Sequence, residues 1–229
     1  MRDFVAKQNF RNASLFSALI SVLCLPQISR YAHLTPQPWI TLLMLLSGCF
    51  LGMTVVCGMV LAWSTRGNMA GWFPERSRQL KGAGVAVLLA ALMLGIQLKW
   101  DPAMMAQAAK GPYADSLSLH YPSTVSGVFS LALWASTFET LFFTAGAMSF
   151  FVRISGHVWI GAGFCVLLRF LINLLKLSDN LPPEFLYIIL PAMLAVTLCS
   201  CLLFAWAGLL PLMLFHFLLA CRHVISVLS

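Results

Sequence analysis

Residues 39–63 read WITLLMLLSGCFLGMTVVCGMVLAW, a run from Trp39 to Trp63 without one charged side chain. About 20 consecutive apolar residues let an α-helix cross the hydrocarbon core of a bilayer. This run therefore predicts a membrane span, and the rest of the chain is read from it. Further helices are predicted over Leu15–Ile28, Gly82–Leu98, Val125–Phe151, His157–Leu175, Phe185–Trp206 and Leu209–Leu228. Pro26 interrupts the first of them. The expected fold is all-α: a polytopic transmembrane bundle of about seven spans, with residues 1–229 forming one integral membrane domain.

Composition points the same way. Of 229 residues 60% are apolar and 9% charged, where a soluble domain carries about 25% charged residues. The mean hydropathy is +0.89. Such a chain lacks the charge to cover a water-facing surface, so the lipid bilayer is its expected partner. The segment Met1–Leu25 has the basic start and apolar core of a signal peptide, but no small-x-small cleavage site follows. It is read as the first helix.

The net charge of +7 does not mark a nucleic-acid binder, because the basic residues lie at helix ends rather than in an aromatic-interleaved cluster. They report orientation instead. Arg2, Lys7, Arg11, Arg66, Arg76, Arg78, Lys81 and Arg153 fall on one side of the predicted layout. Arg30, Lys99, Lys110, Lys176 and Arg222 fall on the other. The richer side predicts a cytoplasmic N-terminus, an external C-terminus and a bacterial inner membrane. Ser64–Lys81 and Lys99–Ser123 read as the longest loops, with His120 solvated in the second.

The seven cysteines, all in or beside apolar segments, read as small packing residues. Cys199 and Cys201 would point roughly 160° apart on a helix, so they form no metal site. No metal or cofactor motif is present, and the cofactor is left unknown. Gly48 and Gly52 make a GxxxG step that predicts close approach of another helix, as do Gly82, Gly84, Gly161 and Gly163.

Three ionisable residues fall at membrane depth, where each costs a few kcal/mol and marks a functional candidate. They are Glu139, Arg169 and His216, with Asn173 one turn beyond Arg169. At 1.5 Å per residue they lie roughly 18, 15 and 10 Å from the predicted cytoplasmic helix ends, so they fit one layer. Two arrangements suit them. In one, Glu139 and Arg169 form a buried ion pair and His216 is a hydrogen-bonded core histidine. In the other, they surround a hydrophilic cavity in which Glu139 is a general base and His216 holds a metal or an oxyanion.

The order and spacing of these residues resemble the CAAX protease and bacteriocin-processing (CPBP, or Abi) family of intramembrane proteases. That family carries EExxxR, FxxxH and HxxxN or HxxxD motifs on successive helices. Phe138-Glu139-Thr140-Leu141-Phe142-Phe143 resembles the start of the first motif. Val166–Asn173 falls where the second belongs. Gly208–His216, with Pro211, is similar to the lead into the last histidine. The resemblance covers about residues 132–222. It implies a glutamate-type endopeptidase, a hydrolase acting on a membrane-protein or peptide substrate, or an inactive homologue. It implies Glu139, His216, Arg169 and Asn173 as catalytic residues. The chain departs from the motifs in detail. The glutamate pair is a single Glu139, Phe143 and Thr144 stand at the motif's arginine, the second-motif histidine is missing, and Ala220 replaces the final Asn or Asp.

Two other classes remain in view. Cys165, Arg169 and His216 could form a thiol site of the exosortase kind, with Arg lowering the thiol pKa. A transporter or non-catalytic membrane protein would use the same Glu139/Arg169/His216 polar layer to relay protons or hold an anion.

Overall fold

The computed structural model describes residues 7–108, 121–177 and 183–228. Helices account for nearly all of them, and no strand occurs among the described residues. In chain order they are α1 (Lys7–His33), α2 (Pro38–Trp63), α3 (Arg76–Ala108), α4 (Val125–Ser155), α5 (Val158–Leu177), α6 (Pro183–Ala207), α7 (Leu209–Ala220) and α8 (Arg222–Leu228). Six of them, α1 to α6, are long and apolar enough to cross a membrane. The chain is a multi-pass helical membrane protein.

Several boundaries differ from the sequence reading, each for a local reason. The first helix continues through Pro26 to His33. Proline removes one backbone bond, and here the carbonyl left without a donor belongs to Val22, on an exposed turn. The expected loop from Lys99 begins as helix, since α3 runs on to Ala108 with Pro102 inside it. His120 lies outside the described residues. The seventh segment is two helices rather than one: α7 ends at Ala220 and α8 starts at Arg222, with Cys221 between them. Twelve residues of α7 rise about 18 Å, less than the bilayer core.

The packing follows from which span lipid tolerates least. α4 has the lowest hydropathy of the six spans and the largest buried share, half of its window against 22% for α2. It carries buried Ser130, Ser136, Thr137, Thr140, Thr144 and Ser149. Hydrocarbon offers such groups no partner, so the helix bearing them goes inside. α4 accordingly touches α1, α2, α5, α6 and α7. One core cluster joins α1, α2, α4 and α6 through Cys24, Met53, Val60, Met148 and Phe204. A second joins α3, α6 and α7 through Ala86, Ala90, Leu203 and Phe215.

One end of the bundle is tied together by close backbone approach. Ala70 N–H donates to the Ala205 carbonyl at 2.7 Å, and Leu209 N–H to the Trp72 carbonyl at 3.1 Å. Gly208, at φ 82°, turns the chain from α6 into α7 against Trp72 and Pro74. Gly67 meets Val152 and Gly156. The 64–75 loop, the turn after α4 and the α6–α7 corner therefore share one end, which also carries Arg76, Arg78, Lys81 and Arg153.

The small-residue expectation divides. Gly82 and Gly161 do face close neighbours, Ala207 with Pro211 and Val152 respectively, whereas Gly48, Gly52, Gly84 and Gly163 have open space where a Cβ would stand. The GxxxG step of α2 is thus not an internal helix contact.

Gly82→Ala should place its methyl on the Ala207 methyl and 2.9 Å from the Pro211 ring, neither of which can swing away. Overpacking of this kind costs about 1–3 kcal/mol. Thermal denaturation in detergent should show a clear loss for Gly82→Ala. Gly84→Ala, two residues along the same helix, should stay within about 0.5 kcal/mol of wild type.

Candidate functional site

The middle of α4 is wound as a π-helix over Ala135–Gly146, between α-helical ends Val125–Trp134 and Ala147–Ser155. π-turns hydrogen-bond i→i+5 and are uncommon, and they concentrate at functional sites. The side chains echo the winding. Thr140 Oγ1 donates to the carbonyl five residues back, Ala135, at 2.8 Å. Thr137 and Ser136 both donate to Leu133. These hydroxyls satisfy the carbonyls that the wider turns leave open. Four-residue spacing lines up a row of rings: Trp134 and Phe138 stack at 4.3 Å, Phe138 and Phe142 at 5.7 Å.

Glu139 projects from this segment. Its Oε2 lies 3.5 Å from Arg169 Nη2 of α5. The guanidinium of Arg169 also sits over the Phe143 ring, 4.6 Å from the centroid, so one cation is shared between a carboxylate and an aromatic face. The pair is partly enclosed, with 25% of the Arg169 side chain and 35% of the Glu139 side chain accessible.

His216 belongs to α7, which packs against the π-wound stretch of α4. Its Nε2 lies 3.0 Å from Ser200 Oγ of α6. That hydroxyl donates its one proton to the Val196 carbonyl at 2.7 Å. Nε2 must then be the donor, which fixes the neutral tautomer and leaves Nδ1 as an acceptor with no bond to the described residues.

Asn173 is 6% exposed, and its Nδ2 has no hydrogen-bond partner among the described residues. It stands four residues after Arg169, on the same face of α5. A buried amide donor without a partner costs about 1–3 kcal/mol.

The structure pairs Glu139 with Arg169, and it places His216 on α7, a helix that packs against the same π-wound stretch of α4. Ser200 was missed by the sequence reading, although a signal existed: Ser200 and His216 lie eight residues either side of the Gly208 corner, hence at one depth on adjoining antiparallel helices. Cys165 is fully buried in the same core cluster as Cys201, while Arg169 pairs with Glu139. No group of three His, Cys, Asp or Glu residues among the described residues could hold a metal ion. A second polar cluster lies nearer the opposite end, where Ser130 and Arg30 both donate to the buried Gln27 Oε1. Arg30, just beyond the predicted helix Leu15–Ile28, belongs to α1.

No protein-family model, no curated protein and no solved structure matches the chain.

Glu139→Gln should leave the Arg169 cation without its counter-charge. The cost should fall near 2 kcal/mol, between the ~0–1 of an exposed pair and the ~3–5 of a buried one. Arg169→Met in the same background should restore most of the lost thermal stability. Strictly additive losses in this double-mutant cycle would mean the two side chains do not interact.

Proposed function

We propose that the chain is an intramembrane peptidase of the CPBP type with an altered site, in which Glu139, Arg169 and His216 act on one peptide bond. The observation that carries the reading is the Glu139–Arg169 pair between α4 and α5, with α7, the helix of His216, packed on the same π-wound stretch. The three residues come in the chain order that the resemblance assigns to its three motifs. In this reading Glu139 takes a proton from water as the hydroxide adds to the scissile carbonyl carbon. The developing oxyanion is met by Arg169, whose donors outnumber the one bond spent on Glu139. The proton held by Glu139 then passes to the departing amine, and the peptide bond breaks. His216, with Nε2–H committed to Ser200, offers Nδ1 as an acceptor that orients the water. Asn173, with its unpartnered amide, is the second donor for the oxyanion. Arg169 thus takes the place of the histidine that the second motif lacks.

A second reading is favoured by the 3.5 Å contact between Glu139 and Arg169. The contact balances the two charges and occupies one carboxylate oxygen, as a structural ion pair does. On that ground the polar layer serves a non-catalytic or transport role, and the chain is an inactive relative of the peptidases.

Wild type, Glu139→Ala and His216→Ala, produced at matched levels in the source cell, separate the two. Membrane-protein fragments followed by mass spectrometry should include at least one present in wild type and missing from both variants. Identical fragment sets in three folded proteins would favour the second reading.

We also infer a bacterial inner membrane and a cytoplasmic N-terminus. The support is the gathering of Arg76, Arg78, Lys81 and Arg153 at one end of the bundle, since cytoplasmic ends carry the excess of Lys and Arg. Reporter fusions after Lys81 and after Arg153 should read cytoplasmic, and fusions within residues 109–123 external. The reverse pattern at both ends of α4 would overturn the orientation.

A further inference from the structure

At the end of the bundle where α3 begins, a hollow of about 560 Å³ opens beside the α6–α7 corner. Its charged lining is Glu75, Arg78 and Lys81; Ser77 and Trp206 complete the polar and aromatic part. Arg78 and Lys81 are three apart in the first turns of α3, so their side chains rise from one face. Glu75 precedes them by one turn. All three are exposed. Glu75 forms no ion pair with either cation, although both signs line the same hollow. The Trp206 indole, 39% exposed, closes one wall where α6 leaves the apolar layer. Tryptophan at such a level marks the headgroup region of a bilayer. The floor is held in shape by backbone bonds from Arg78 and Gln79 N–H to the Glu75 carbonyl and by Gln79 Nε2 donating to the Pro74 carbonyl.

We propose that this hollow binds a phosphoethanolamine group, with Arg78 and Lys81 on the phosphate and Glu75 on the primary ammonium. Both charge signs decide the ligand. An anionic headgroup would meet the two cations but be repelled by Glu75. A choline headgroup would satisfy the cations yet present no N–H to the carboxylate. A primary-amine phospholipid matches all three side chains, and its glycerol backbone and acyl chains would run past Trp206 into the apolar layer. The bilayer is the source the location favours, and the free phosphoethanolamine ester is the other source of the same chemistry.

The test uses the full-length protein in detergent, with bound lipid counted by native mass spectrometry. Phosphatidylethanolamine, phosphatidylcholine and phosphatidylglycerol of matched chains are titrated separately, and soluble O-phosphoethanolamine is offered as a competitor. Wild type should prefer the ethanolamine lipid over the choline lipid about fivefold, the range of one exposed ion pair. Glu75→Gln should remove that preference. The double variant Arg78→Gln/Lys81→Gln should weaken phospholipid binding about 30-fold, as two juxtamembrane cations predict. A control double variant at the same end, Arg11→Gln/Arg153→Gln, should leave it unchanged. Displacement of lipid by equimolar O-phosphoethanolamine would assign the site to the soluble ester, and failure to displace would assign it to the lipid. Stronger binding of phosphatidylglycerol than of phosphatidylethanolamine, or equal losses in the two double variants, would overturn the site in favour of diffuse attraction to a basic surface.

Discussion

Hydrocarbon cannot solvate a hydroxyl or a carboxylate, and that one constraint orders this molecule. α4 has six buried serines and threonines and the only acid at membrane depth among the described residues. It cannot face lipid. The other helices enclose it, and the most apolar of them, α2, turns Leu43, Leu51 and Val55 outward instead. Ser136, Thr137 and Thr140 bond to carbonyls of their own helix, Ser130 bonds to Gln27 of α1, and the carboxylate is met by a guanidinium from α5. The interior of the bundle is therefore arranged around satisfying α4.

The same constraint explains what could be read from the chain alone. Uninterrupted apolar runs such as Trp39–Trp63 announce themselves, because a bilayer demands length and tolerates little else. Glu139 and Arg169 were legible as partners for the same reason: two opposite charges at one depth have few other ways to be stable. What was not legible depends on geometry that composition does not encode. Nothing in Ala135–Gly146 distinguishes π from α winding, since each turn differs by less than one residue and the choice rests on tertiary contacts. The GxxxG step of α2 misled because glycine permits close approach without requiring it. The break at Cys221 was missed because the apolar pattern continues across it.

The candidate site carries a tension between chemistry and stability. The guanidinium that makes Glu139 tolerable in a membrane also occupies one of its two oxygens. The Ser200 contact that orients His216 also spends its Nε2 proton. Among the described residues, capacity for further bonds is left on Glu139 Oε1, the remaining Arg169 donors, His216 Nδ1 and the Asn173 amide.

The π-wound stretch of α4 has a consequence for how the chain tolerates insertions and deletions. Removing one residue from an α-helix turns everything beyond it by about 100°, which in α2 would rotate a lipid-facing row into the core. Twelve residues wound with surplus in every turn can give up one residue by tightening a single turn to α, and the helix on either side keeps its facing. The helix at the centre of the bundle, which a length change would be expected to damage most, is therefore the one whose middle can absorb it. The position of Glu139 relative to α5 is then set by where along Ala135–Gly146 the surplus is carried, so a single-residue deletion there is a way to move the carboxylate without replacing it.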